Sequence, residues 1–208
     1  MAKVLLINPS YLRTYGSSKA SIASPVYPTL GLATIAAVAR ARGHSVRLLE
    51  LCYRDYDPAL VRSELSREKP DVVGITATTP LMNQLRDISC LAKEVSKDIV
   101  VVGGGAHPSS LPSETLLESM LDFVVYGEGD YTFSDILDGK RPEDILGVCY
   151  RKNGEAVMNG PRPLVEDLDD LPFPAWDLYP AEEYRHRVSR LIVRRPPAGM
   201  IEFSRGCV

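Results

Sequence analysis

Long apolar runs, paired cysteines and an excess of charge of either sign are all missing from this 208-residue chain. No stretch approaches the ~20 apolar residues that a membrane-spanning helix needs. The short apolar start, Val4–Ile7, is stopped by Asn8-Pro9 and reads as a strand, not as a secretion signal. With 24 basic against 27 acidic residues, net charge −3, nothing electrostatic points to nucleic acid or an anionic membrane as partner. The four cysteines, Cys52, Cys90, Cys149 and Cys207, are scattered without a CxxC pair. In a chain without a secretion signal they read as reduced thiols, the first three as packing residues, and the expected location is cytoplasmic. Hydrophobic residues at 45% and charged ones at 25% are ordinary globular values, and the length is enough for a full core.

What the sequence does contain is a regular alternation of strand-like and helical runs. Val4–Ile7 is apolar throughout, as a strand buried on both faces should be. After a long loop, Leu32, Ile35, Ala36 and Ala39 mark one face of a helix that Gly43 ends. Ser45–Leu49, Asp71–Thr76, Ile99–Val102 and Phe123–Tyr126 supply further strands; Pro58–Arg67, Leu81–Val95, Glu114–Met120 and Tyr131–Leu137 supply the helices. Five β-α units in a row imply a parallel sheet with right-handed crossovers. The expected fold class is α/β: a flavodoxin-like (Rossmann-like) five-stranded parallel sheet, order 2-1-3-4-5, with helices on both faces. In that order the ends of strands one and three splay apart at the carboxyl edge, where a ligand should sit.

From about Gly147 the pattern changes. Val148–Arg151, a turn at Asn153-Gly154 and Glu155–Met158 read as a C-terminal β-hairpin. Pro161–Pro180 is rich in Pro and Asp and reads as an ordered linker pinned by Phe173 and Trp176. Arg185, Arg187, Arg190, Arg194 and Arg195 form a basic stretch, either a solvated surface or a contact for an acidic face of another domain. Residues 1–140 are thus expected to be one α/β domain and 141–208 a hairpin and linker.

The topology would bring four loops to one edge. After strand one comes a long loop that includes Asn8, Pro9, Ser10, Tyr11, Tyr15 and Gly16, and long loops in compact domains are often functional. Thr76-Ala77-Thr78-Thr79 after strand three clusters hydroxyls on small side chains. After strand four, Gly103-Gly104-Gly105 removes all side-chain bulk before His107 and Pro108, so backbone could press against a flat ligand. Gly127-Glu128-Gly129-Asp130 follows strand five. Each loop has a plainer reading: Thr79 and Asp130 as helix N-caps, the glycines as close-packing positions. Together they point to a ligand. Phosphoacceptor chemistry is excluded by Asn8-Pro9 and Thr76-Ala77 where a receiver domain needs carboxylates, and a nicotinamide site by the lack of Gly-x-Gly-x-x-Gly after strand one. Flavin survives these tests, although the first loop lacks a compact phosphate cradle.

The ordered series Leu6-Ile7-Asn8-Pro9, Gly31-Leu32-Ala33, Arg42–Val46, Pro70–Thr76, Gly103–Pro108 and Tyr126–Asp130 resembles the cobalamin-binding domain at the N-terminus of B12-dependent radical S-adenosylmethionine (SAM) proteins. Glu166–Pro174 and Ser204-Arg205-Gly206-Cys207 continue the resemblance, the latter like the entrance to the radical SAM cluster loop after a β-like run from Gly199 to Phe203. The resemblance implies a corrin across the carboxyl edge and a nucleotide tail beside the sheet. Thr76, Ala77, Thr78 and Thr79 would meet the tail, Gly103, Gly104 and Gly105 would make room for its benzimidazole, and Glu128, flanked by Gly127 and Gly129, would meet corrin amides. It also implies that Cys207 is one ligand of a [4Fe–4S] cluster, which with SAM would belong to a following radical SAM barrel, the expected partner. No histidine lies between Asn8 and Ser24, where other cobalamin proteins place the cobalt ligand. His44 falls at the opposite edge and His107 beside the glycine run, so cobalamin is expected without a histidine lower ligand. The expected function is an accessory domain of a B12-dependent methyltransferase that catalyses nothing alone. A free-standing cobalamin carrier or sensor, or a module of the same fold that binds no cobalamin, remain as alternatives.

Overall fold

The computed structural model describes residues 1–12, 14, 28–187, 200–202 and 204–205, the side chains of residues 185–187 apart. Five strands run parallel: β1 (Lys3–Asn8), β2 (Ser45–Glu50), β3 (Val72–Thr76), β4 (Val100–Gly104) and β5 (Phe123–Val125). The hairpin strands β6 (Val148–Lys152) and β7 (Glu155–Met158) add to the same sheet, β6 antiparallel to β5. The order is β2-β1-β3-β4-β5-β6-β7, so the sheet has seven strands where five and a separate hairpin were expected. The reason is edge chemistry. β5 would otherwise expose an unpaired row of backbone donors and acceptors, and the nearest strand in sequence covers it.

The principal helices are α1 (Leu30–Ala41), α2 (Pro58–Glu68), α3 (Met82–Val95), α4 (Ala106–Ser110), α5 (Pro112–Leu117) and α6 (Asp130–Leu137). Alternation along each strand sends Leu5, Ile7, Val73, Ile75, Val101 and Val124 to one face, where Val61 and Leu65 of α2, Leu85 and Ile88 of α3 and Leu116 of α5 close the core. Val4, Leu6, Val46, Val72, Val102 and Val125 face the other way, toward Leu32, Ala36 and Ala39 of α1 and Phe133 and Ile136 of α6. The alanines let α1 lie close to the sheet. Asp57 caps α2 by accepting from the Ala59 amide, with Pro58 at the first helical position.

Departures from expectation are local. Residues 106–110, expected as loop, form α4, and the following helix spans Pro112–Leu117 instead of Glu114–Met120. Neither carries a long apolar period, and Pro112 starts a helix that the pattern alone dates too late. Phe173 does not pin the linker: it is 94% exposed. Ala175, Tyr179 and Tyr184 do so instead, with Trp176 partly buried beside them. The Ala175 amide donates to the Ala33 carbonyl at 3.0 Å, the Tyr179 hydroxyl to the Thr29 carbonyl at 2.7 Å. The linker is also less irregular than its composition suggests, with short turns of helix at Leu168–Asp170 and Trp176–Leu178 and a helix α7 at Ala181–Arg187. Residues 200–202 carry no strand; Gly199 and Phe203 lie outside the described residues, as do Arg190, Arg194 and Arg195.

At the amino edge a polar network ties the ends of α1 and α6 to the segment after the hairpin. Asp135, its side chain 5% exposed, accepts from Arg42 and Lys140 at 3.1 and 2.8 Å and from Arg162. His44 belongs to this edge: Nδ1 accepts from the Ala2 amide at 3.1 Å and Nε2 contacts Asp138 at 3.0 Å. Burial works against the Asp135 carboxylate, but the three cations outweigh it and hold its pKa below the ordinary value. Its stabilisation is therefore present above the usual carboxylate range and is lost as pH falls through the lowered value. Asp135→Ala, which leaves the cations facing a void, should cost about 3 kcal/mol in urea unfolding at pH 7. The difference from wild type should shrink on acidification below about pH 4, where the unfolded-state carboxyl protonates.

Candidate functional site

A cavity of about 610 Å³ opens at the carboxyl edge, between the sheet and helices α1 and α6. Its floor is one face of the sheet: Leu6, Gly74, Thr76, Val102, Gly104 and Val125. Its roof is Leu32 and Ile35 of α1 with Phe133 of α6. The register sets Gly74 opposite Leu6 and Val102, and Thr76 opposite Gly104. The two floor glycines serve differently, Gly74 for close packing and Gly104 for room. A Cβ at Gly74 would stand 2.7 Å from Leu6 and 3.2 Å from the Phe133 ring; at Gly104 it would meet only Val125, at 3.8 Å or more, and point into open space.

The middle glycines differ in role. Gly103 faces away from the cavity toward Leu121, where a Cβ would come within 2.5 Å. Gly105 has φ +102°, and a Cβ there would stand 2.7 Å from the Ala77 carbonyl oxygen. That residue needs glycine both for its backbone angle and for the close approach of two loops. The approach is cemented by the Ala77 amide donating to the Gly104 carbonyl at 2.9 Å.

Of the residues expected at the site, Asn8, Tyr11, Thr76, Ala77, Thr78, Gly103, Gly104, Gly105, Gly127, Glu128 and Gly129 share this cavity. Pro9, Ser10, Thr79, His107 and Pro108 do not line it. Ser10 is turned inward: Gln84 clasps its backbone from both sides, and its hydroxyl donates to the Arg54 carbonyl. Thr79 Oγ1 sits 3.1 Å from His107 Nδ1, so these two satisfy each other outside the cavity. The N-cap readings of Thr79 and Asp130 give way as well, because no side-chain cap bond forms at either helix start. Tyr15, Gly16 and Cys207 lie outside the described residues. Sequence reasoning missed Gly74, Thr29, Ile35, Phe133 and Arg205. A lone glycine inside the run Val72–Thr76 was the one available signal for the first, since glycine in a buried strand marks a close approach.

Charge gathers at the mouth. Asp130 is buried, and burial pushes its carboxyl above the ordinary value against the pull of Arg205. Arg205 Nη1 lies 2.6 Å from Asp130, and Nε lies 3.1 Å from Glu202. Glu128, 3.9 Å from the same guanidinium, accepts from the Val165 amide at 2.8 Å. Deeper in, Asn8 donates to the buried Glu50 carboxylate at 2.8 and 3.1 Å. Burial raises the Glu50 pKa, and the donors Cys52, Asn8 and Tyr184 counter it. Among the described residues no group of three or more His, Cys, Asp or Glu side chains could hold a metal, and no helix is long and apolar enough to cross a membrane. The arrangement suits an uncharged, partly flat group slid between sheet and helices, with polar contacts at its rim.

A family model described as B12 binding domain matches residues 21–137. An uncharacterized methyltransferase of Pyrococcus horikoshii is 34% identical over 86% of this chain and 39% of its own length. The anaerobic magnesium-protoporphyrin IX monomethyl ester cyclase of Rubrivivax gelatinosus is 31% identical over 99% of the chain and 37% of its own. Cytidylyl-2-hydroxyethylphosphonate methyltransferase of Streptomyces wedmorensis is 29% identical, 88% of the chain against 41% of its own. The chain thus spans about two fifths of these relatives. Two solved structures share the fold. The radical SAM methyltransferase TsrM of Kitasatospora setae, with cobalamin and a [4Fe–4S] cluster bound, superposes with TM-score 0.64 at 21% identity, over 83% of this chain and 31% of its own. The cobalamin-dependent SAM radical enzyme OxsB, with aqua-cobalamin bound, superposes with TM-score 0.71 at 17% identity, over 90% and 25%.

The Asp130–Arg205 contact lies at the mouth of the cavity, which Met200 and Glu202 also line, and a charge-assisted bond of this kind contributes roughly 1.5–3 kcal/mol. Asp130→Asn should release Arg205. Limited trypsin digestion should then cleave after Arg205 about tenfold faster than in wild type, with cleavage elsewhere unchanged.

Proposed function

The chain belongs to the B12-binding domain family, and from that premise we propose that it is the cobalamin-binding module of a radical SAM enzyme of methyltransferase type. The observation that carries this reading is the cavity with a glycine floor. Gly104 leaves open space on the floor of this cavity between the sheet and α1 and α6, room that the benzimidazole of a nucleotide tail could take. In this reading Gly74, Gly104, Val102 and Phe133 hold the nucleotide tail, and Thr76 and Thr78 offer it hydroxyls. The backbone of Gly127–Gly129, with Glu128 and Tyr11, meets the ring edge. Bound cobalamin supplies a cobalt centre that can carry a methyl group.

The protein's own part is to seat that group and keep competing ligands away from it. His44 is committed to Ala2 and Asp138 at the amino edge, and His107 to Thr79; neither lines the cavity. This supports cobalamin held without the imidazole of His44 or His107 on cobalt. Residues 1–140 form the binding unit and 141–208 the hairpin and approach to a barrel, where Cys207 would join further thiolates around a [4Fe–4S] cluster that binds SAM. Arg205 against Asp130 supports that path, because it sets the segment before Cys207 beside the cavity mouth. Five parallel strands in the order 2-1-3-4-5 form the flavodoxin-like part in this reading, with the hairpin as an edge cover. The substrate class belongs to the barrel.

Purified chain mixed with hydroxocobalamin and desalted should keep the visible spectrum of bound cobalamin; a colourless protein would refute the proposal. Gly104→Leu, whose Cβ would meet no atom closer than 3.8 Å, should unfold within a few degrees of wild type yet retain no cobalamin. Reduced to Co(II) and bound, the cofactor should give an electron paramagnetic resonance spectrum without nitrogen splitting from an imidazole; such splitting would contradict cobalamin held without a histidine ligand.

A further inference from the structure

Asn8 ends β1 at the carboxyl edge and lines the cavity together with Thr29. Both hydrogens of its side-chain amide are committed. One goes to the Glu50 carboxylate, with Nδ2 2.8 and 3.1 Å from the two oxygens, the other to Thr29 Oγ1 at 3.0 Å. Glu50 is 4% exposed, accepts also from the Cys52 amide at 3.0 Å, and has no cation partner among the described residues. Both Glu50 oxygens already act as acceptors, of the Cys52 amide and of Asn8 itself, so they hold the carboxamide of Asn8 with its N–H toward them. Oδ1 is left over, and no described residue donates to it. Thr29 shows the complementary surplus. It occupies the N-cap position of α1 but makes no cap bond; its oxygen accepts from Asn8, and no described acceptor takes its hydrogen.

We propose that Asn8 and Thr29 form an acceptor–donor pair that recognises a primary carboxamide of the bound ligand, with Glu50 as the positioning residue that fixes the pair's polarity. The proposal rests on the cobalamin reading and names which of that ligand's groups meets this wall. A primary amide offers an N–H to Asn8 Oδ1 and a carbonyl to the Thr29 hydroxyl. A phosphate or carboxylate has no hydrogen for Asn8 and sets two acceptors against each other, so the pair also turns anionic groups away from this wall.

The test compares cobalamin with its mono-acid derivatives, each having one side-chain amide hydrolysed to carboxylate, by absorbance titration. Wild type should bind at least one mono-acid about tenfold or more weakly than cobalamin, the cost of one lost and one opposed hydrogen bond. Glu50→Gln lets the Asn8 carboxamide turn and offer its N–H, so the ratio for that mono-acid should narrow toward one. Thr29→Val removes a single hydroxyl at the start of α1 and should weaken cobalamin binding about tenfold, which keeps the test open should Glu50→Gln not fold. Mono-acids that all bind like cobalamin, a ratio unchanged in Glu50→Gln, or full affinity in Thr29→Val would overturn the pair while cobalamin binding stands. A wild-type chain that takes up no cobalamin would remove the underlying reading and the pair with it.

Discussion

A helix lying on a parallel sheet settles until side chains touch, and what keeps it from closing is the bulk of the residues between. Over the amino half of this sheet Val4, Val46, Val72, Ile136 and their neighbours fill that space. Toward the carboxyl edge the strands place Gly74 and Gly104 on the same face; Leu6 and Phe133 still cover Gly74, and the filling stops at Gly104. Leu6, Val102 and Phe133 border the gap without spanning it. The open part of the floor is therefore owed to the missing side chain at Gly104, while Gly74 lets Leu6 and Phe133 close over the strand beside it. Everything the site can accept follows from that slot: something flat, largely apolar, and entering from the edge.

Charge is arranged around the slot and kept out of it. The amino-edge network of Asp135, Arg42, Lys140 and Arg162 fixes the ends of α1 and α6, the two helices that roof the cavity. At the opposite edge Asp130 at the start of α6 holds Arg205. Glu50 lies behind the wall, where it sets Asn8. The segment Ala175–Tyr184 then braces the start of α1 through Thr29 and Ala33, and the stretch after β2 through Cys52. A linker that looks idle in sequence thus holds the roof at its height.

Much of this was legible beforehand, for physical reasons. Buried parallel strands must be apolar on both faces, so Val4–Ile7 and Asp71–Thr76 announce themselves, and the five β-α units follow. The convergence of the loops after β1, β3, β4 and β5 is a consequence of parallel topology. What was hidden depended on facing direction and on contacts distant in sequence. Gly103-Gly104-Gly105 reads as one feature, yet the three residues do different things: one faces Leu121, one floors the cavity, one needs a positive φ. Thr29 and Phe133 line the site because α1 and α6 pack over its floor, a fact no local pattern carries. Phe173 looked like an anchor because it is aromatic; between two prolines it stands in solvent, and Tyr179 and Tyr184 anchor instead.

The account turns on whether the glycine-floored slot receives the ligand's nucleotide tail. Amide and aromatic chemical shifts of the labelled chain, followed on adding hydroxocobalamin and separately cobinamide, which lacks that tail, test it directly. The expected result is a change at Gly74, Gly104 and Phe133 with cobalamin that cobinamide does not produce. Changes confined to the amino edge or to the α2–α3 face, or identical changes with both compounds, would contradict it.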